Sequence, residues 1–176
     1  MKKNSGTRMK VFGISGHSGM GKTTLLEKLI PEITQRGFRV SLIKHSHKDI
    51  EIDRPGKDSF RLRAAGCSEV LLMGKNRWAL MHEQRADVEP TFEYLLSRMQ
   101  DCDLVLVEGF KQESFPKLEV FRSINDKTPL WHTAQDIIAI ATDELHAADQ
   151  TGPFRMNLTE IPLIADFVIQ HAQVLT

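Results

Sequence analysis

The residues with the clearest capacity for chemistry lie between positions 16 and 29, in the stretch GHSGMGKTTLLEKL. It matches G-x-x-x-x-G-K-[ST] at Gly16, Gly21, Lys22 and Thr23. Glycines let a backbone turn its N–H groups toward phosphate oxygens, and a helix beginning at Lys22 adds partial positive charge there. The lysine reaches the terminal phosphates in such a loop, and the threonine hydroxyl ligates Mg²⁺. The predicted nucleotide-binding residues are Gly16, His17, Ser18, Gly19, Met20, Gly21, Lys22, Thr23 and Thr24.

The alternative for this stretch is a glycine turn that only joins a strand to a helix. A turn needs one or two glycines, whereas this stretch also places a lysine and two threonines at the start of the helix. The pattern therefore favours phosphate binding.

A nucleotide site of this kind also needs a carboxylate beside the metal ion. The stretch LVLVEGF is apolar until Glu108, at the expected end of a buried strand. We predict that Glu108 and Thr23 hold Mg²⁺ and that Lys22 and Glu108 are the catalytic residues. The alternative is that Glu108 is a solvated charge at a strand end.

A second source of metal ligands is the polar segment 45–59, which reads as a long loop. We predict Asp53 as a further Mg²⁺ ligand from this segment. His45 and His47 lie two positions apart and raise the alternative of a transition-metal site, since imidazole suits zinc or nickel. Without clustered thiolates, a solvated or phosphate-facing pair is the simpler interpretation.

The base of the nucleotide is harder to assign, because the usual guanine-reading motif N-K-x-D is absent. The stretch IAIATD ends a predicted buried strand at Asp143. A carboxylate there could accept hydrogen bonds from the N1–H and N2–H₂ donors of guanine, so we include Asp143 among the nucleotide-binding residues. The alternative is a loop aspartate that caps the next segment.

The hydrophobic pattern predicts the elements that position these residues. An apolar stripe of Leu25, Leu26, Leu29, Ile30 and Ile33 indicates a helix ending near Gly37. We predict an α/β fold with a mostly parallel central sheet flanked by helices and an antiparallel edge extension. The 77–83 and 117–123 strands are the candidates for antiparallel pairing at one side. Predicted strands are 10–15, 38–44, 68–74, 77–83, 103–110, 117–123 and 136–143, and further helices are 58–65, 91–100 and 160–174, the last with Thr159 as its N-cap.

Composition narrows the class of protein. The chain has 176 residues, 41% of them hydrophobic, and a formal net charge of zero. This balance predicts neither a nucleic-acid partner nor a membrane surface. Two cysteines without metal-finger spacing favour a reducing, cytoplasmic setting. We expect residues 1–8 to be a flexible tail and 9–176 a single P-loop GTP-binding domain.

Several stretches together resemble the MobB family of molybdenum-cofactor maturation proteins. They are GHSGMGKTTLLEKLIP, LIKHSHKD, DRPGKDSFRLRAAG, RWALM, LVLVEGFK and IADFV. The second and third stretches are the most specific, because the glycine loop is common to many families. The segment from 144 to 162 follows the family pattern poorly.

The resemblance implies a P-loop NTPase fold that binds GTP with Mg²⁺, hydrolyses it slowly and forms a homodimer. It also implies a role beside a MobA-type guanylyltransferase, which converts molybdopterin to its guanine dinucleotide form. In the family, residues matching Gly19, Gly21, Lys22, Thr23 and Thr24 bind phosphates. Those matching Glu108 and the segment 45–58 lie on the metal side.

A binding module that does not hydrolyse its nucleotide remains open from the sequence, because its site would be the same and only turnover would distinguish it. Two other classes of function also remain open. One is a small-molecule kinase, although no arginine-rich lid is evident. The other is a metallochaperone GTPase of hydrogenase or urease maturation, although no matching Cys-Pro-Cys or His-rich tail is present. The alternating 117–123 strand and the aromatics Phe110, Phe115 and Phe121 suggest an edge strand that a second copy could cover.

Overall fold

The computed structural model describes residues 9–46, 50–85, 88–123, 127–144 and 152–175, so the predicted tail at 1–8 lies outside the described residues. The chain divides into two compact units, residues 1–45 with 99–176 and residues 46–98. The single domain expected over 9–176 stays a prediction. The elements are β1 (Lys10–Ser15), α1 (Lys22–Gln35), β2 (Val40–Lys44), α2 (Asp58–Ala64), β3 (Glu69–Met73), β4 (Trp78–His82), α3 (Phe92–Ser97), β5 (Leu104–Glu108), β6 (Lys117–Phe121), a 3-10 helix (Leu130–His132), β7 (Ile137–Thr142), β8 (Phe154–Asn157), α4 (Ile161–His171) and β9 (Gln173–Val174).

A seven-stranded sheet forms the centre of the first unit. Its strand order is β2-β5-β1-β6-β7-β8, with each neighbouring pair parallel, and β9 pairs antiparallel with β1. Every residue of β5 is buried, as its apolar run predicts for a strand covered on both faces. The α/β fold with a mostly parallel sheet flanked by helices is confirmed.

Two helices of this unit, α1 and α4, pack against each other. Burial of each leucine or isoleucine contributes roughly 1.5–3 kcal/mol. The apolar stripe predicted for α1 is confirmed, with Ile30 partly buried. The two helices bury Leu25, Leu26, Leu29, Ile33, Ile164, Ala165 and Val168 in one core with sheet residues such as Phe12 and Leu106.

The second unit contains α2, α3 and the hairpin of β3 and β4. The two strands pair antiparallel from Glu69 opposite His82 to Met73 opposite Trp78, so the predicted hairpin is confirmed. They form a two-stranded sheet of their own rather than an extension of the central sheet. Arg63 of α2 joins this unit together, because its guanidinium donates to Asp53 Oδ1 at 2.8 Å and to Glu83 Oε1 at 3.0 Å.

The prediction that 117–123 is an antiparallel edge strand is wrong. β6 lies between β1 and β7 and is parallel to both. Its charged residues caused the error, because Lys117 and Glu119 are buried and bind partners inside the protein instead of facing water. Phe115, one of the aromatics that suggested an edge open to a second copy, is also buried.

The last predicted helix is too long at its carboxyl end. α4 ends at His171, and Gln173–Val174 form β9 instead. Its N-cap is Glu160 and not Thr159, without a side-chain cap, although a proline does lie in the first turn as predicted. The strand β8 is absent from the prediction, since its four residues FRMN are too few for their apolar–polar alternation to indicate a strand.

Candidate functional site

The glycine loop between β1 and α1 has the backbone shape that its sequence predicts. Gly16, Gly19 and Gly21 all have positive φ, at 132°, 83° and 94°. A Cβ on Gly16 would lie 2.4 Å from the carbonyl oxygen of Val120, so only glycine fits between β1 and β6. Met20 is fully buried and fixes the loop to the core.

The helix α1 begins directly at this loop. Gly21 is its N-cap, and no side chain caps the first turn. The N–H groups of a first helical turn lack partners within the helix and carry partial positive charge. Thr23 and Thr24 are exposed there, so their hydroxyls are accessible to a ligand. The arrangement suits a phosphate group.

Lys22 bends back over the loop. Its Nζ donates to the carbonyl oxygens of Gly16 at 2.9 Å and His17 at 3.0 Å.

Burial lowers the pKa of the Lys22 ammonium, and the Glu108 carboxylate acts in the opposite direction. The positive charges of Lys111, Lys44 and Lys127 lower it further. Several cations therefore share this end of the sheet, which favours a polyanionic ligand.

Glu108 lies at the carboxyl end of β5, opposite Ile14 of β1. It is buried, and its Oε2 lies 3.2 Å from Lys44 Nζ at the end of β2. Because the carboxylate has this partner, it is not the freely solvated charge of the alternative interpretation. Mg²⁺ prefers oxygen ligands, and one carboxylate with a hydroxyl and nucleotide phosphates is a usual set. Glu108 and Thr23 are donors of this kind.

Two further contacts connect the loop with its neighbours. His17 Nε2 lies 3.1 Å from the carbonyl oxygen of Thr128, in the connection between β6 and β7. Asp143, which follows β7, lies 3.7 Å from Arg122, measured from Oδ2 to Nε. The carboxyl ends of β1, β5, β6 and β7 thus bring the loop, Glu108, Arg122 and Asp143 to one edge of the sheet.

A family model described as MobB, molybdopterin guanine dinucleotide synthesis protein B, matches residues 11–143. The chain belongs to the MobB family. The matched range includes the loop, Glu108 and Asp143, so the edge of the sheet described above lies within the part that defines the family.

Individual relatives agree with this assignment. A molybdopterin-guanine dinucleotide biosynthesis adapter protein of Haemophilus influenzae is 45% identical over 163 residues, covering 92% of this chain and 88% of the relative. The adapter protein of Escherichia coli is 39% identical over 170 residues, covering 95% of each. The crystal structure of Bacillus subtilis MobB has a TM-score of 0.73 and 22% identity, covering 94% of this chain and 99% of that one. At that identity the last likeness shows the MobB fold alone.

Asp53 belongs to the second unit, where Arg63 binds it and lowers the pKa of its carboxyl. Its role as a metal ligand stays a prediction. His47 lies outside the described residues, and within the described ranges no three His, Cys, Asp or Glu side chains cluster as a metal site would require.

Sequence reasoning missed two cations of the site, Lys44 and Arg122. Lys44 lies in the stretch LIKHSHKD, but nothing in that stretch indicates that its lysine pairs with Glu108, and Arg122 belongs to no recognised motif. The parallel order of β2, β5, β1 and β6 brings them beside the loop. In the part of the chain that the structure describes, no helix is both long and apolar enough to cross a bilayer.

Proposed function

We propose that this protein is a cytoplasmic GTP-binding adapter in the biosynthesis of molybdopterin guanine dinucleotide. The observation that carries the proposal is the loop at residues 16–21, which has positive-φ glycines and leads directly into α1. Lys22, the first residue of that helix, lies among further cations. This arrangement favours a triphosphate with Mg²⁺. The role in the cofactor pathway rests on the family and on the adapter proteins of similar sequence.

The same residues support a slow conversion of GTP to GDP and phosphate. Lys22 would neutralise charge on the terminal phosphates, while Thr23 and Glu108 would hold Mg²⁺, which supplies further charge stabilisation when bound. Glu108 is engaged by Lys44, so it is poorly placed to serve as a free base for water. We therefore expect slow turnover, with nucleotide binding as the principal activity.

The first test is a binding titration of GTP and of ATP, each with and without Mg²⁺. We expect GTP binding to depend on Mg²⁺ and to be tighter than ATP binding. We propose that Asp143 accounts for this preference by accepting hydrogen bonds from guanine. Lys22→Ala should lose at least about tenfold in affinity, since charged hydrogen bonds contribute roughly 1.5–3 kcal/mol. Lys28→Ala is the matched control, because Lys28 is an exposed lysine on the same helix. Equal losses in both variants would refute the role of the loop.

The partnership is tested separately. We propose that the protein acts with a MobA-type guanylyltransferase on molybdopterin or its guanine dinucleotide form. The yield of dinucleotide should rise when wild-type protein is added to such an enzyme with molybdopterin and GTP. Lys22→Ala should give a smaller rise than Lys28→Ala. No rise with wild-type protein would contradict the adapter role while leaving nucleotide binding intact.

A homodimer is the third part of the proposal. The prediction of an exposed edge strand no longer supports a dimer, because β6 lies between β1 and β7. In its place, the hairpin of the second unit exposes apolar side chains, with Met73 at 83% and Trp78 at 56% accessible. Exposed apolar patches of this kind mark contact surfaces. Sedimentation equilibrium should give twice the 20.0 kDa chain mass, and Met73→Ser with Trp78→Ser should shift it toward the monomer.

A further inference from the structure

Arg122 follows β6 directly and lies against the glycine loop. A Cβ placed on Gly21 would be 3.7 Å from Arg122 Nη2, 3.8 Å from Nε and 3.9 Å from Cζ. These distances put the guanidinium next to the space that a side chain would occupy at Gly21, the residue that caps α1. Because Gly21 has no side chain, this residue puts no side-chain atom between the guanidinium and the start of the helix.

The charge of Arg122 is only loosely matched. Among the described residues, Arg122 forms an ion pair with Asp143, in which Nε and Oδ2 are 3.7 Å apart. This distance is too long for a hydrogen bond. The Nε atom is buried and has no hydrogen-bond acceptor among the described residues. The side chains of Arg122 and Asp143 are 39% and 47% exposed, so water weakens their attraction.

We propose that Arg122 binds the phosphate chain of the nucleotide, with Asp143 as its counter-ion until the nucleotide arrives. The inference rests on the proposed GTP site and adds a phosphate ligand from β6. A guanidinium presents two parallel donors that match phosphate oxygens, and the helix start beside it attracts the same anion. Once Arg122 turns to phosphate, the Asp143 carboxylate is free to accept hydrogen bonds from guanine. Phosphate binding and base recognition are then linked through this pair.

The experiment compares Arg122→Gln with wild type in competition titrations of GTP, GDP and guanosine. We expect GTP affinity to fall about 10- to 100-fold and GDP affinity to fall clearly. Guanosine affinity should not fall, since guanosine has no phosphate and Asp143 loses the counter-ion that competes with the base. Arg122→Lys should recover part of the loss because it keeps the charge without the fork. Arg39→Gln is the matched control: Arg39 also forms an exposed ion pair, with Asp103 at 3.5 Å, at the other end of the sheet. It should bind all three ligands as wild type does.

The outcomes separate this inference from the proposed function. If Lys22→Ala loses GTP but Arg122→Gln keeps it, the role of Arg122 is refuted and the GTP site stands. If Arg122→Gln loses GTP and guanosine equally, Arg122 does not act through phosphate and the inference is also refuted. If wild type fails to bind GTP, the proposed function itself fails. Should Arg122→Gln not fold, Arg122→Lys decides the matter: GTP affinity reduced with guanosine affinity intact supports phosphate binding, and unchanged GTP affinity overturns it.

Discussion

Gly16→Ala and Gly19→Ala place the same methyl group at two positive-φ positions of one loop. Forcing an L-residue to a positive φ costs about 1–2 kcal/mol, and both variants carry a cost of this kind. Among the described residues, the methyl group at Gly19 meets nothing within 4 Å, whereas at Gly16 it lies 2.4 Å from the backbone oxygen of Val120. Separating β1 from β6 to relieve that contact adds about 1–3 kcal/mol, by analogy with overpacked cores.

The measurement is urea unfolding, followed by tryptophan fluorescence. The chain has two tryptophans, and Trp78→Phe leaves Trp131 as the single reporter within the first unit. With an m-value of about 2 kcal/mol per molar urea, Gly19→Ala should lower the midpoint by roughly 0.5–1 M. Gly16→Ala should lower it by roughly 1–2.5 M. Equal shifts, with unchanged m-values, would refute the argument that Val120 excludes a side chain.

Three further predictions concern charged groups that are not part of the proposed nucleotide site. Burial lowers the pKa of Lys117, so the unfolded chain binds more protons near that pKa. The free energy of unfolding of wild type, measured against Lys117→Met, should therefore rise with pH toward about 10.4. Glu119→Gln should lower stability by about 1–3 kcal/mol in urea, because its carboxylate accepts two N–H groups of the 130–132 helix and an amide offers one acceptor. Arg63→Gln should destabilise the protein at neutral pH, and the difference should shrink as pH falls below about 4, since Arg63 lowers the pKa of Asp53.

The parts that could be predicted from sequence are those whose signal is local. The positive-φ backbone of the glycine loop, the stripe of α1 and the buried run of β5 each depend on neighbouring residues, and these three features are confirmed. The hairpin of the second unit was predicted for the same reason, from two short apolar runs around a tight turn.

The prediction fails where residues distant in sequence determine how a side chain is buried or paired. Lys117 and Glu119 give β6 the alternation of a half-exposed strand, yet loop carbonyls and the 3-10 helix satisfy both inside the protein. No neighbouring residue in the sequence indicates a role for Arg122, and it is the pairing of β1 with β6 that brings it near Gly21. A sequence pattern records the type of a residue and its spacing, but not the partners that folding supplies.

The short strand β9 suggests a route to rearranging the chain. Val174 pairs with Lys10 and Gln173 with Val11. Because the pairing of β6 with β1 begins only at Gly13, β9 pairs with the start of β1 on the side that β6 occupies further along. Two segments from opposite ends of the numbering thus meet as if they formed a hairpin. A linker of about two to five residues could join them, because that is the usual length of hairpin loops. A circular permutant closed there and opened in a surface loop should keep the sheet, whereas deleting 173–176 would strip backbone partners from its central strand.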